Sequence, residues 1–404
     1  MTYRPRTMDK VCFHKDFGRQ MRFIAGPRQS GKTTMAISFL TRHGIAANYY
    51  NWDRREVKIN YRENPSFIEK NILSGEKTWI CFDEIHKMPK WKNILKDFFD
   101  TYEKKVNFIV TGSARLDLFR KSGDSLVGRY FLFHLLPFSL RELTGKIRPI
   151  NFSENPFEFI KQKLSSSGYE QDALEHLLEF SGFPEPLFKG KKNFHLKWQN
   201  DYIDHVLNED LRPLTKIAEI ENIANLFYVL PGKVGSPLSI NSLKEDLEVS
   251  FPTVKNYLKA LDLVYMVFMI KPYSQKINRT LKKERKLYFY DWTRISDKAK
   301  MFENYTACEL KTMVSLWNDM GTGLVDLHYV RTREGKETDF LITRNHKPYL
   351  LIEAKLSFSP IESHHLRYAR LLGDIPFIQV VFQDKVTEVY KSKAFQVSAG
   401  RFFS

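Results

Sequence analysis

Three short apolar runs, Met21–Ala25, Trp79–Phe82 and Phe108–Val110, punctuate the first part of the chain, each ending in polar residues or glycine and separated by stretches with helical spacing. Short apolar strands alternating with helices predict a parallel sheet with crossover helices. From Pro156 to Leu230 the pattern turns helical, with Ala173, Leu174, Leu177 and Leu178, then Tyr202 and Val206, at i, i+3, i+4 spacing. The segment Pro231–Pro237 packs two prolines and two glycines into seven residues and marks a domain boundary. Beyond it, Ser239–Leu247 reads as a short helix and Glu248–Phe251 as a turn. Pro252 then takes a first helical position before Val254, Tyr257, Leu258 and Leu261. Two β-rich runs follow, Val264–Ile270 and Lys286–Tyr290, as the strands of a winged helix would. Glu337–Ile342 and Leu350–Lys355 read as two further strands joined by a turn at Asn345–Pro348. No internal repeat is present.

The first apolar run leads directly into Gly26-Pro27-Arg28-Gln29-Ser30-Gly31-Lys32-Thr33, which satisfies G-x-x-x-x-G-K-[ST] and is followed by the helix-like Thr34–Thr41. The strand and helix that this motif requires on its flanks are both there. Its glycines let backbone N–H groups wrap a phosphate, Lys32 sets its ammonium against the β- and γ-oxygens, and Thr33 offers a hydroxyl to Mg²⁺ at a helix N-terminus. The second run ends in Asp83-Glu84, which supplies one carboxylate for the metal shell and an adjacent one as general base. The third ends in Thr111-Gly112-Ser113, so Thr111 or Ser113 can sense a γ-phosphate; the alternative is a turn that merely starts the next helix. Arg129, after Gly128, is the best arginine-finger candidate, weighed against an ordinary surface arginine.

Composition narrows the partners. The 404 residues include 63 Lys and Arg against 47 Asp and Glu, a net charge of +16, which favours anionic partners. With 43% hydrophobic residues the chain can bury real cores, and bulk disorder is excluded. The cysteines Cys12, Cys81 and Cys308 form no Cys-x-x-Cys pair, so neither a disulfide framework nor a structural zinc site is expected, and a cytoplasmic location fits. The longest apolar stretch, Leu263–Ile270, falls far short of the roughly 18 residues of a membrane span, and Met1–Lys10 has no apolar signal core.

The charge is not spread evenly. Residues 271–300 hold ten basic residues and three acids, a net of +7, interleaved with Tyr273, Tyr288, Phe289, Tyr290 and Trp292, whereas residues 301–404 sum to only +1. A concentrated basic segment beside a helix-turn-helix is a nucleic-acid footprint. The candidate contacts are Thr253, Lys255, Asn256 and Lys259 in a major groove and Lys282, Lys283 and Arg285 on phosphates. Against this, winged helices in ATPases often pack only against a lid or partner. In the last two strands, Glu353 and Lys355 are two apart and share a face, and Asp339 on the neighbouring strand can join them. Two carboxylates holding a divalent ion and a lysine aimed at water are the parts of a metal-dependent phosphodiesterase. A solubilising cluster on a half-exposed hairpin is the other reading.

The stretch Ala25–Thr34, the strand end Phe82–His86, and Val110–Ala114 followed by Gly128-Arg129 resemble prokaryotic AAA-type ATPases, in particular the group with a C-terminal restriction-endonuclease-like domain. Ser181–Glu185 and Asp339, Glu353, Ala354 and Lys355 also fit that group. The resemblance implies an α/β fold: a P-loop NTPase parallel sheet (1–150), a helical lid (151–230), a winged helix-turn-helix (231–298) and a C-terminal α/β restriction-endonuclease-like domain (299–404). It further implies that Glu303 or Glu309 completes a metal shell with Asp339 and Glu353. The expected ligands are ATP bound by residues 26–34, Asp83, Thr111 and Ser113, with Mg²⁺ on Thr33 and Asp83 and a second divalent ion in the tail. The expected catalytic groups are Lys32, Glu84, Arg129 and Lys355. The expected function is Mg²⁺-dependent ATP hydrolysis coupled to DNA. The alternatives are an ATP-activated DNA nuclease and a nucleotide-dependent protein-interaction switch. An arginine finger acting in trans would make the protein a homo-oligomer.

Overall fold

A computed structural model describes residues 3–112, 126–166, 168–212, 217–274, 284–332, 334–390 and 393–404. The chain divides into two compact units, Met1–Leu136 with Ile147–Pro149, and Pro137–Lys146 with Ile150–Ser404. Of the expected span 1–150, the segment Pro137–Lys146 thus belongs to the second unit. The reason lies in where the Pro137–Lys146 segment bonds: Phe138 N donates to Gly182 O at 2.7 Å and Leu140 N to Glu309 at 2.7 Å. Gly182 permits the first of these close approaches, because a Cβ there would stand 2.7 Å from Phe138 O.

The first unit is a five-stranded sheet of β1 (Met21–Ala25), β2 (Tyr49–Asn51), β3 (Thr78–Asp83), β4 (Val106–Thr111) and β5 (Tyr130–His134) in the order β2-β3-β4-β1-β5. Every pairing is parallel, so all five carboxyl ends lie along one edge. Each residue of β1 is buried, as a central strand covered on both faces requires. The three expected strands are present; β2 and β5 were not expected. β2 is only three residues long with no apolar run, while β5 (Tyr-Phe-Leu-Phe-His) did carry an aromatic signal.

The second unit opens with the short helix Leu140–Leu143, followed by helices Pro156–Ser166, Gln171–Phe180, Pro184–Lys189 and Lys192–His205, the last running into a π-helical turn at Val206–Leu211 before the helix Ile217–Val229. Helices Ile240–Asp246 and Phe251–Leu263 follow, capped by Ser239 and Ser250, whose hydroxyls accept from Ser242 N and Thr253 N. β6 (Val267–Pro272) and β7 (Lys286–Phe289) then form an antiparallel pair. After the helix Lys298–Asp319 come β8 (Val325–Arg331), β9 (Glu337–Arg344), β10 (Lys347–Lys355), the helix Ser363–Leu371, β11 (Phe377–Val381), β12 (Thr387–Tyr390) and β13 (Ala394–Ser398). These strands form a single sheet in the order β12-β13-β11-β10-β9-β8-β6-β7. The link is a parallel pairing of β6 with β8, Lys271 opposite His328 and Pro272 opposite Tyr329. The expected boundary at 298/299 thus falls inside a continuous sheet. Leu341, Leu351, Phe377 and Ala394 from its strands pack with Tyr368 and Ala369 of the helix Ser363–Leu371. Cys12, Cys81 and Cys308 are buried and none is in a disulfide. Among the described residues no helix is long and apolar enough to cross a membrane.

Candidate nucleotide site

The phosphate loop starts where β1 ends. Gly26 sits at φ +148°, and a Cβ there would lie 2.2 Å from the carbonyl oxygen of Leu135, so only glycine lets the loop leave the strand at this point. Gln29 and Gly31 adopt positive φ, and the helix Lys32–Arg42 begins directly after Gly31. Its first N–H groups have no partner within the helix and carry the positive end of its dipole. Lys32, only 8% exposed, turns its ammonium back to donate to Gly26 O at 2.9 Å and Pro27 O at 2.6 Å.

Asp83, at the carboxyl end of β3, is 2% exposed and is held from the two flanking strands and the loop helix. Thr33 Oγ1 donates to its Oδ2 at 3.0 Å, Tyr49 OH donates to the same oxygen at 2.6 Å, and Thr111 Oγ1 donates to Oδ1. Burial, followed by this bond to Asp83, holds the Tyr49 phenol above its ordinary range. Thr33 and Asp83, expected to share a metal, are thus side by side, with Thr111 on the adjoining strand. Glu84 takes a left-handed backbone conformation, φ +58°, with its N–H donating to Thr111 O at 3.0 Å. Its carboxylate lies 3.5 Å from His86 Nε2 and 3.7 Å from Lys87 Nζ. Two residues of this site were not expected. Tyr49 orients Asp83, and Arg6, 3% exposed, donates to Ser30 O at 3.2 Å and Leu136 O at 2.7 Å, bracing the loop from behind.

These residues fit a nucleotide phosphate and Mg²⁺. The Ser30 hydroxyl is buried in the loop with no hydrogen-bond partner among the described residues, a polar group that a phosphate oxygen would satisfy. Arg28 and Thr34 flank the loop, half-buried and exposed respectively. Ser113 lies outside the described residues. Arg129 needs correction as a finger for its own site. Its backbone carbonyl accepts from Met21 N at the start of β1, the edge opposite the loop, and its guanidinium grips Asp100 with Nε at 2.7 Å and Nη2 at 3.0 Å.

In the second unit the structure brings Asp339, Glu353 and Lys355 together. Asp339 N donates to Glu353 Oε2 at 3.1 Å, Ala354 N donates to Asp339 Oδ2 at 3.1 Å, and Lys355 Nζ lies 2.9 Å from Glu353 Oε1. Burial, then Asp339, pushes the Glu353 carboxyl up to about 8 and that of Glu303 up to about 7. Of the two further carboxylates, Glu303 joins this group and Glu309 does not. Glu309 instead accepts from Leu140 N at 2.7 Å and Tyr305 OH at 2.9 Å. Lys286, counted above with the basic segment, is not a surface cation: it is 0% exposed, and its ammonium lies 3.0 Å from Glu303, 2.5 Å from Glu337 and 3.3 Å from Asp339. The ammonium bonds one oxygen each of Glu303 and Asp339, two of the three carboxylates expected to hold a second divalent ion. Among the described residues no group of three or more His, Cys, Asp or Glu is placed to hold a metal.

On the helix Phe251–Leu263, Val254, Tyr257, Leu258 and Leu261 are buried while Lys255, Asn256 and Lys259 are exposed, the partition of an amphipathic surface helix. Thr253 is engaged in the cap, its hydroxyl 2.7 Å from that of Ser250. Arg285 is exposed; Lys282 and Lys283 lie outside the described residues.

Residues 18–144 match the family model described as an AAA domain, and residues 171–293 match one described as a domain of unknown function. An uncharacterized protein of Methanocaldococcus jannaschii is 24% identical over 371 residues, covering 88% of this chain and 79% of its own. An uncharacterized protein of Mycobacterium tuberculosis is 24% identical over 369 residues, covering 89% of this chain and 75% of its own. Among solved structures, the Aeropyrum pernix ORC1 protein in complex with DNA aligns over 74% of this chain and 90% of its own at 15% identity. Its TM-score of 0.31 is too low to bear on fold or ligand.

Proposed function

With an AAA domain and its P-loop at residues 18–144 as the premise, we propose that the protein is a Mg²⁺-dependent ATPase that acts with DNA. The observation that carries the first half is the convergence of Thr33, Tyr49 and Thr111 on Asp83, next to the phosphate loop. Thr33 and Asp83 hold the metal, whose charge offsets that developing on the phosphoryl oxygens. Lys32 exchanges its two loop carbonyls for β- and γ-oxygens, and Thr111 reports on the γ-phosphate from the strand end. Glu84 takes the proton of the attacking water. That role needs a second acid beside the metal-holding one, and Glu84 supplies it next to Asp83, within 3.5 Å of His86 Nε2 and 3.7 Å of Lys87 Nζ.

The second half is supported by the exposed Lys255, Asn256 and Lys259 on a capped helix and by Arg285 at the start of the following strand region. Two helices joined by a turn and followed by an antiparallel hairpin match the winged-helix outline, with the hairpin as the wing. Adding duplex DNA to the full chain is expected to accelerate phosphate release from ATP. Lys255→Glu with Lys259→Glu is expected to remove the acceleration and flatten the salt dependence of binding. Phosphate release that is indifferent to DNA would discard the DNA half and favour a nucleotide-driven protein-interaction switch.

A further inference from the structure

The carboxylate cluster of the second unit is assembled around a lysine. Lys286 opens β7, opposite Ile270 of β6, and its side chain is fully enclosed. Glu303 reaches it from the helix Lys298–Asp319, and Glu337 and Asp339, two apart on β9 and so on one face, reach it from the sheet. An ammonium has three N–H donors, and three carboxylates surround this one. Tyr288 OH adds a bond to the same Glu303 oxygen at 2.8 Å. On the outer side Arg331 takes Glu337 at 3.2 Å and Lys355 takes Glu353 at 2.9 Å. Four acids, Glu303, Glu337, Asp339 and Glu353, thus face three cations, Lys286, Arg331 and Lys355. With all seven groups ionised the cluster carries one net negative charge, so the three tethered cations already offset most of its carboxylate charge without any ion from solution.

A divalent ion bound by Glu303, Asp339 and Glu353 would need oxygens at about 2.1–2.4 Å. Two of those oxygens, Glu303 Oε1 and Asp339 Oδ1, are the ones bonded to Lys286. An ion shared by Glu303 and Asp339 through those two oxygens would have to take the place the ammonium holds. We infer that Lys286 is the permanent, covalently tethered cation of this cluster, so that the C-terminal sheet binds no divalent ion, cuts no DNA, and uses the carboxylates as a clasp fastening the β6–β7 hairpin to the helix Lys298–Asp319 and to β9. The inference does not depend on the ATPase reading, and the test is built to keep the two apart.

The test uses the full chain without nucleotide, carrying Asp83→Asn so that the P-loop contributes no metal site, and titrates Mn²⁺ by electron paramagnetic resonance alongside thermal unfolding. With Lys286 in place, no Mn²⁺ binding beyond weak surface association is expected, and no shift in Tm. Lys286→Met is expected to melt lower and to gain one saturable Mn²⁺ site. Saturating Mn²⁺, at about 100 times the Kd, should then raise Tm by several degrees, an effect abolished by adding Asp339→Asn. Should Lys286→Met fail to fold, Lys286→Met with Glu337→Gln removes one of the stranded carboxylates and serves in its place. Saturable Mn²⁺ binding by the chain that retains Lys286, lost on Asp339→Asn, would overturn the inference. So would a folded Lys286→Met chain that gains no Mn²⁺ site.

Discussion

Gly26→Ala is the sharpest perturbation of the phosphate loop. The added methyl would sit 2.2 Å from Leu135 O and 3.0 Å from Leu135 C, about 1.2 Å inside the ordinary 3.4 Å contact. Neither atom can yield cheaply, since both are backbone and Leu135 N is itself bonded to Ala25 O at 2.8 Å. Overpacking of this kind costs about 1–3 kcal/mol, and a side chain at φ +148° adds strain of about 1–3 kcal/mol. The sum, roughly 2–6 kcal/mol, is a large share of the ~5–15 kcal/mol that holds a domain together. At about 2–4 °C per kcal/mol, the melting transition of the first unit should fall by roughly 5–20 °C. Nucleotide affinity should fall with it, because the loop cannot keep its path while β5 moves aside. Gly44→Ala is the control: Gly44 is also at positive φ, +71°, but nothing lies within 4 Å of a Cβ there, so it reads the conformational cost alone. Differential scanning calorimetry of both variants with and without Mg²⁺ and a non-hydrolysable ATP analogue separates clash from strain. If Gly26→Ala melts with Gly44→Ala and binds nucleotide as the wild type does, the packing argument is wrong.

Tyr49→Phe removes one of the three hydroxyls holding Asp83, a bond to a carboxylate worth about 1.5–3 kcal/mol. The Mg²⁺ concentration for half-maximal phosphate release should rise by about tenfold, while ATP binding in EDTA stays unchanged; an unaltered Mg²⁺ dependence would count against a positioning role. Glu309 is pushed up to about 7 from its ordinary 4.5, by burial first. A carboxyl raised in this way contributes stability that is fully present below 4.5 and lost as pH rises through about 7. Glu309→Gln keeps an acceptor for Leu140 N–H, so urea unfolding across that window should show the wild type losing about 2–3 kcal/mol relative to the variant. Parallel pH profiles for the two would refute the assignment.

What was legible in the sequence was what is local in it. Gly26 to Thr33 are eight consecutive residues whose chemistry and flanks need no tertiary information, and Asp83 was found because an apolar strand ends on it. Glu353 and Lys355 could be paired because strand geometry places residues two apart on one face. The missed residues act over distance. Tyr49 lies on a three-residue strand and meets Asp83, 34 positions away, only through the β2–β3 register. Arg6 braces carbonyls 24 and 130 positions away. Lys286 shows the limit of charge counting, since net charge cannot tell a solvated cation from a buried counter-ion. The signal that could have set it apart is that it heads the run Lys-Leu-Tyr-Phe, every residue of which is buried.

The central claim is that Lys32 and the Asp83-Glu84 strand end form a working ATPase site, and phosphate release from Mg²⁺-ATP by the full chain tests it directly. The wild type should release phosphate. Lys32→Ala should lose both nucleotide binding and release. Glu84→Gln should bind ATP within a few-fold of the wild type while release falls by about 10²–10⁴-fold, the usual contribution of a general base. Hydrolysis by Lys32→Ala at the wild-type rate would contradict the account.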